Sequence, residues 1–305
     1  MRLPRWITLA VAATLLTGCA AAAKTIPPAL AVEAPPSVLA GPPVPEPAPV
    51  AEPNLTALRR QLREYLAKQD GTYGVYVVDL VTGKSVGINS NKVFPAASTI
   101  KLPLALYVLG QVEQGRASLD EPLAYSWTAW EDGTGVLQDW IADGDTLTVR
   151  ELVELAITQS DNIATNMLLE RFGTENVYAY MHELGGTVTH TDEGIPGTTP
   201  REMAAFMKDV EFGEALSDAE LRTFLRSALE HTAFTDRAAA GVPDGVTVAH
   251  KIGTLPGVVN DVALVEVPGR PFIISAFSLD VDDEVAPAVI TEITRKVYDF
   301  LAASS

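Results

Sequence analysis

Residues 247–279, TVAHKIGTLPGVVNDVALVEVPGRPFIISAFSL, decide the fold. They contain three runs rich in β-branched and other apolar residues, at 247–252, 261–267 and 272–279, and Pro-Gly pairs at 256–257 and 268–269 lie between them. Runs of this kind between turn-forming dipeptides predict antiparallel strands. A helical pattern at 285–301 then predicts a helix at the end of the chain.

The first part of the chain has its own helix and strands, upstream of a helical middle. Apolar residues at helical spacing over 55–66 predict a helix, and the pattern predicts a strand at 72–80 and a hairpin partner at 85–89. Helical patterns at 98–109, 148–158, 163–172 and 201–210 lie between the two strand regions. We therefore predict an α+β domain over 54–305, in which N- and C-terminal helices pack an antiparallel β-sheet and an all-helical lobe is inserted. We expect the functional site between sheet and lobe.

The first 19 residues indicate export. Basic Arg2 and Arg5 precede an apolar run at 6–16, which is too short to span a bilayer and predicts a signal peptide over 1–18. Residues 16–19, LTGC, resemble a bacterial lipobox, so Cys19 is the predicted lipidation site; a plain secretory peptide is the alternative. In both cases we expect the cell envelope, at its periplasmic or extracellular face. Cys19 is the only cysteine, so no disulfide forms within the chain.

The amino-acid composition and net charge of the chain indicate which binding partners to expect. Residues 19–53 are mostly Ala, Pro and Val, which predicts an extended tether between the lipid anchor and the domain. The formal net charge of −17 argues against nucleic acid, so membrane contact is expected only through the lipid, and we expect a monomer. The four histidines lack ligand spacing, so we predict no metal and no cofactor. A G-x-S-x-G match at 83–87 falls in the predicted hairpin, whereas that motif needs a strand-to-helix elbow.

Three short strings indicate serine acyl-transfer chemistry. Residues 98–101 read STIK, 160–162 read SDN and 251–253 read KIG, in the order of the S-x-x-K, S-D-N and K-T-G elements of penicillin-recognising serine enzymes. A serine hydroxyl needs a base and oxyanion donors. Lys101 can be that base only when neutral, which requires burial or a nearby cation such as Lys251. Taken singly, Ser98 and the string at 160–162 also fit ordinary helix caps.

On these motifs the chain resembles the class A β-lactamase family and its relatives among penicillin-binding proteins, from about Leu55 to the C-terminus. Residues 94–101, 133–137, 198–200 and 240–243 also look like family sequence around the site. The resemblance implies that Ser98 is the nucleophile, that Lys101 and Ser160 relay protons, and that Lys251 belongs to the catalytic group. It further implies substrate-binding roles, which fall to Asn162, Lys251, Gly253, Thr254 and Arg237, with the oxyanion held by the N–H groups of Ser98 and Thr254.

Two departures from the family pattern bear on function. Ile252 replaces a hydroxyl residue that usually contacts the substrate carboxylate, so this contact is expected to weaken or to shift to Thr254. The segment 186–198 is short, its only Glu is Glu193, and Gly197 stands where the family has Asn, so the base for deacylation is in question. We predict hydrolysis of β-lactam amides through an acyl-serine intermediate. The alternatives are a D-Ala-D-Ala peptidase acting on peptidoglycan stem peptides and a non-catalytic lipoprotein that binds β-lactams or peptidoglycan.

Overall fold

The computed structural model describes residues 52–184, 186, 189–190, 195–213 and 215–303. The strands are β1 Thr72–Asp79, β2 Ser85–Ile88, β3 Phe94–Pro95, β4 Pro122–Ala124, β5 Thr146–Thr148, β6 Thr189–His190, β7 Pro196–Thr198, β8 Val248–Leu255, β9 Val258–Val265 and β10 Phe272–Leu279. The α-helices are α1 Leu55–Leu66, α2 Lys101–Glu113, α3 Val149–Thr158, α4 Asn162–Phe172, α5 Thr174–Glu183, α6 Pro200–Phe212, α7 Ala219–Glu230 and α8 Ala286–Ala302. The predicted signal peptide, the tether to Ala51 and Glu193 lie outside the described residues.

A five-stranded antiparallel sheet is the centre of the fold, with the strand order β2-β1-β10-β9-β8. The three strands predicted near the C-terminus are present. The middle one begins at Val258 and not at residue 261, because β8 and β9 continue up to the tight turn at Pro256-Gly257. β8 is an edge strand, so one of its sides is free of sheet pairing and available to a site.

The terminal helices cover one face of this sheet. Leu58 and Leu62 of α1 and Val289, Ile293 and Val297 of α8 are buried with apolar residues from β1, β9 and β10. This arrangement confirms the predicted α+β class with an antiparallel sheet packed by N- and C-terminal helices.

The inserted helices form the lobe on the other face. Helices α2 to α7 share one large apolar core with the opposite side chains of the sheet, such as Ile273 and Phe277. The sequence patterns did not predict α5 and α7. The sequence did contain a signal for α7, because Asp218, which caps the helix, precedes Leu221 and Leu225 at helical spacing.

The segment at Ser98 departs from the predicted continuous α-helix. Residues Ala97–Ile100 form a 3₁₀ turn, and α2 begins only at Lys101. Pro103 therefore lies in the first turn of α2, where its missing N–H costs no helical hydrogen bond. Within the part of the chain that the structure describes, no helix combines the length and apolarity needed to cross a membrane.

Candidate active site

The turn that carries Ser98 is held by backbone contacts on two sides. Ala97 adopts a left-handed conformation with φ of 48°, which is unusual for a residue with a Cβ atom. The Asn260 side chain donates from Nδ2 to the Pro95 carbonyl at 2.9 Å, and the Ala96 N–H donates to the Pro196 carbonyl at 2.8 Å. The surroundings therefore fix the conformation that presents the half-buried Ser98.

Gly253 allows β8 to approach this turn. A Cβ atom at Gly253 would lie 2.9 Å from the Ala96 carbonyl oxygen and 3.1 Å from the Ser98 nitrogen. Alternate residues of a strand share a face, so the Lys251 side chain lies on the same side of β8 as this contact. Ile252 is buried, with 3% of the residue exposed.

Lys101 is one 3₁₀ turn beyond Ser98, so the two side chains share a face. Its ammonium donates to the Ser160 carbonyl at 2.5 Å, to Asn162 Oδ1 at 2.8 Å and to Ser160 Oγ at 3.3 Å. Only 4% of the residue is exposed. This burial lowers the pKa of Lys101 to about 8, although the charges of Asp161 and Glu131 act in the other direction.

The Ser160 hydroxyl lies between two lysines. Lys251 Nζ donates to Ser160 Oγ at 3.0 Å, opposite the contact from Lys101. Ser160 itself has a φ of 52°, so its backbone is held in the left-handed region. Full burial lowers the pKa of Lys251 well below its ordinary value, and the charge of Lys101 lowers it further. A hydroxyl with an amine on each side can pass a proton in either direction.

Asp161 connects this group to the loop at 132–137. One carboxylate oxygen accepts from the Ala164 N–H at 2.9 Å and so caps α4, while the other accepts from the N–H groups of Val136 and Leu137. Gly135 has a φ of 131°, and a Cβ atom there would lie 2.4 Å from the Asp161 carboxylate. A glycine is therefore required where this loop meets the start of α4.

Thr134 and Asn162 hold the same loop next to the lysines. The Thr134 hydroxyl donates to the Ser160 carbonyl at 2.8 Å, and Asn162 Nδ2 donates to the Asp132 carbonyl at 3.0 Å. Asn162 Oδ1 accepts from Lys101, so the Asn162 side chain joins this loop to the lysine.

Arg237 and Thr254 form a cationic end of the site at β8. Arg237 is buried, and its Nη1 donates to the carbonyls of Gly253 at 3.0 Å and Asn260 at 2.8 Å. Its Nη2 donates to Thr254 Oγ1 at 2.7 Å. Since the exposed Thr254 hydroxyl accepts this bond, its own O–H remains free to donate to an anionic ligand.

A buried pair, His250 and Asp261, connects β8 to β9 next to the site. His250 Nδ1 lies 3.0 Å from Asp261 Oδ2, which also accepts from the Ala238 N–H. Burial raises the pKa of Asp261, but His250, Arg237 and the Ala238 N–H together lower it below its usual value. Asp261 therefore remains a carboxylate and neutralises part of the positive charge around Lys251.

The structure brings together residues from all three strings, namely Ser98, Lys101, Ser160, Asn162, Lys251 and Gly253. Ser98 is not a helix cap, because neither the 3₁₀ turn nor α2 has a side-chain cap bond at its start. The cap interpretation is correct for Asp161. Of the two causes considered for a lowered pKa of Lys101, burial or a nearby cation, burial is the main one. No group of metal-ligating side chains occurs among the described residues.

Two residues that support the site were not identified from the sequence. Thr134 was noted only as family-like sequence, and Asn260 was not noted at all. An asparagine inside the apolar run 258–265 is a usable signal, because a buried amide in a strand must find hydrogen-bond partners.

Comparison with known proteins finds relatives that match nearly the whole domain. The sequence model of the beta-lactamase enzyme family matches residues 57–301. The carbapenem-hydrolysing β-lactamase KPC of Klebsiella oxytoca is 30% identical over 278 residues, which cover 84% of this chain and 94% of that protein. An ancestral class A β-lactamase structure (GNCA) is 34% identical, has a TM-score of 0.73 and is matched over 79% of this chain and 99% of its own.

A second solved structure comes from a penicillin-binding protein. A leucine-to-glutamate variant of PBP-A, solved as an acyl-enzyme complex with penicillin G, has a TM-score of 0.76 and 30% identity, over 82% of this chain and 98% of its own. Since the family model, the curated relative and both structures agree over nearly the whole described domain, the chain belongs to the class A β-lactamase family.

Proposed function

We propose that this protein opens β-lactam rings by forming an acyl-enzyme on Ser98. The observation that carries the proposal is the Ser160 hydroxyl, which lies 3.3 Å from Lys101 Nζ and 3.0 Å from Lys251 Nζ. This proton path starts one turn from Ser98 and ends at the β8 strand that packs on the Ser98 turn. Names of relatives that hydrolyse β-lactams support the same substrate class.

Lys101 supplies the base in this proposal. With a pKa of about 8, about one tenth of the Lys101 side chains are neutral at pH 7, compared with about one in three thousand at the ordinary value of 10.5. The neutral amine takes the Ser98 proton while Ser98 Oγ attacks the lactam carbonyl. The charge that develops on the carbonyl oxygen is stabilised by the N–H groups of Ser98 and Thr254.

Ser160 returns the proton to the leaving nitrogen. An amine anion is a poor leaving group, so ring opening requires protonation of the nitrogen as the C–N bond breaks. Ser160 gives its hydroxyl proton to that nitrogen and is reprotonated by one of the two lysines in contact with it. The substrate carboxylate is held by Lys251 and by the free O–H of Thr254, which takes over the contact that Ile252 does not make.

Steady turnover of a chromogenic cephalosporin tests this function. We expect continuing hydrolysis by the native chain and none by Ser98→Ala. Thr223→Ala is a matched control, because the exposed Thr223 hydroxyl bonds the Ala219 carbonyl within α7 and not the proton path. A single stoichiometric burst would refute hydrolytic turnover and leave only acylation.

A D-Ala-D-Ala peptidase is the second candidate function. It is favoured by the short segment 186–198, which lacks the Glu and Asn pair of the family pattern, and by the likeness to PBP-A. Glu193 remains a candidate deacylation base that lies outside the described residues. In a peptidase the amine product leaves the site, and water can then enter and hydrolyse the acyl-enzyme. In an opened β-lactam the amine remains bonded to the acyl group and so stays in the site. Release of D-Ala from a stem peptide, combined with a stable penicillin adduct, would favour this function.

We also propose that the protein acts at the cell envelope, anchored through Cys19. The supporting observation is the lipobox-like string at 16–19 followed by a Pro-rich segment. Incorporation of labelled palmitate by the native chain and its loss in Cys19→Ser test the anchor. Secretion of an unlabelled native chain would instead favour a plain signal peptide.

A further inference from the structure

We propose that a groove at the β2 edge of the sheet binds small organic anions that carry an apolar group, such as an aryl- or alkylcarboxylate. The groove lies between α6 and the β1–β2 hairpin and has a volume of about 270 Å³. This volume is near the lower end for ligand sites, so a small ligand is expected. Because β2 and β8 are opposite edges of the sheet, the groove is distinct from the Ser98 site.

One stripe of α6 forms a wall of the groove. Its members recur at helical spacing and are Arg201, Ala204, Ala205, Lys208 and Phe212. The eleven steps of 1.5 Å from Arg201 to Phe212 give this wall a length of about 16 Å. The opposite stripe of α6, which includes Met203 and Met207, packs the core of the domain, and Ala204 at the border of the two stripes is buried with it.

The groove combines an apolar floor with cations. Val78 and Leu80 of the hairpin line it, and Phe212, which is 49% exposed, closes one end. The Lys208 ammonium lies 5.6 Å from the centre of the Phe212 ring. An apolar group in the groove would cover these side chains and remain next to positive charge.

Arg201 is held in place with part of its guanidinium still available. Its Nε donates to Asn91 Oδ1 at 2.8 Å, its Nη1 donates to Tyr76 Oη at 3.0 Å, and its plane lies 4.5 Å from the centre of the Tyr76 ring. Tyr76 Oη in turn donates to Ser85 Oγ at 2.8 Å. Among the described residues no partner accepts a hydrogen bond from Nη2, so this donor is available to an anionic ligand. A guanidinium is well suited to a carboxylate.

The groove differs from the rest of the chain in the charged residues that line it. No acidic side chain is among the described residues that line it, nor among those lining the adjoining cavity, which shares Ser85 and Arg201 and adds Arg59. The whole chain has 39 acidic and 22 basic residues. The cations in the groove therefore favour an anionic ligand locally, although the negative net charge of the whole chain does not attract anions.

Titration calorimetry with 4-phenylbutyrate tests the proposal, with the neutral 4-phenylbutyramide and with acetate as matched ligands. We expect one site for phenylbutyrate and at least about tenfold weaker binding of the other two. Arg201→Gln removes the donor and Ala205→Leu fills the groove, and each is expected to weaken binding at least about tenfold. The control Arg150→Gln removes a cation from a similar pair with Phe224 elsewhere and is expected to bind normally.

The results separate this site from the Ser98 site. Arg237→Gln removes one of the cations at the Ser98 site and is expected to leave phenylbutyrate affinity unchanged. The proposal is wrong if the amide binds as well as the acid, or if both groove variants keep native affinity. Two groove variants are used because Ala205→Leu retains the Arg201 contacts, so loss of binding in both cannot be attributed to misfolding at Arg201. Penicillin labelling of Ser98 is independent of each outcome.

Discussion

Lys101 is expected to set the pH dependence of Ser98 acylation. Burial lowers the pKa of Lys101 to about 8, so the neutral fraction increases from about one tenth at pH 7 to about nine tenths at pH 9. The acylation rate constant should therefore increase about tenfold over this interval and then level off. An unperturbed lysine, with a pKa of 10.5, would give about a hundredfold increase with no plateau below pH 10.

Rapid mixing with benzylpenicillin, acid quenching and intact-mass measurement give this rate constant. At saturating penicillin the measured rate constant no longer depends on penicillin affinity. This matters because the titration of Lys251 also affects penicillin binding. Lys101→Arg keeps the charge but cannot lose its proton, so we expect acylation slower by about 10² to 10⁴. A rate constant that is flat from pH 6 to 9, or one that increases a hundredfold without levelling, would refute the role of Lys101 as a buried base.

The same shift predicts a change in stability. The pKa of Lys101 is lower in the folded chain than in the unfolded chain, so between about pH 8 and 10.5 the unfolded chain binds more protons. The contribution of Lys101 to stability therefore increases as the pH rises through this window. Comparing urea unfolding of the native chain and Lys101→Met across the window measures it, and an equal pH dependence in both would contradict the assignment.

Three further substitutions test the supports of the site. Gly253→Ala places a Cβ atom 2.9 Å from the Ala96 carbonyl, so we expect slower acylation and a loss of about 1–3 kcal/mol of unfolding free energy; Gly110→Ala, with open space around its Cβ, is the control. Asn260→Ala releases the turn before Ser98, and we expect a loss of about 2–4 kcal/mol by urea unfolding together with slower acylation. Thr254→Ala should raise KM about tenfold for carboxylate substrates with little effect on kcat, and an unchanged KM would remove Thr254 from carboxylate binding.

Local sequence signals predicted most of the elements but not their arrangement in the sheet. The runs near the C-terminus became strands because β-branched residues between Pro-Gly turns have few alternatives. That β1 pairs with β10, joining the two ends of the domain, is a long-range fact that no local pattern contains. The extent of β9 was underestimated because β8 and β9 are joined directly by the two-residue turn at 256–257, so both strands continue up to it.

In the site, too, the sequence predicted the types of residue that meet but not their geometry. The strings at 98–101, 160–162 and 251–253 predicted a shared site, and the structure places Lys101 and Lys251 in contact with Ser160. The left-handed backbones of Ala97 and Ser160 could not be predicted, because neither residue favours that conformation by itself. They are imposed by Asn260 and by the loop at 132–137, which are distant in sequence.

Intact-mass measurement of the protein over time after adding benzylpenicillin tests the central claim most directly. We expect the native chain to gain the mass of one penicillin at Ser98 while penicillin is in excess, Ser98→Ala to gain nothing, and the adduct to decay as the acyl group is hydrolysed. A native chain that shows no adduct at any time point and leaves the penicillin intact at pH 8, where about half of Lys101 is neutral, would contradict acylation at Ser98.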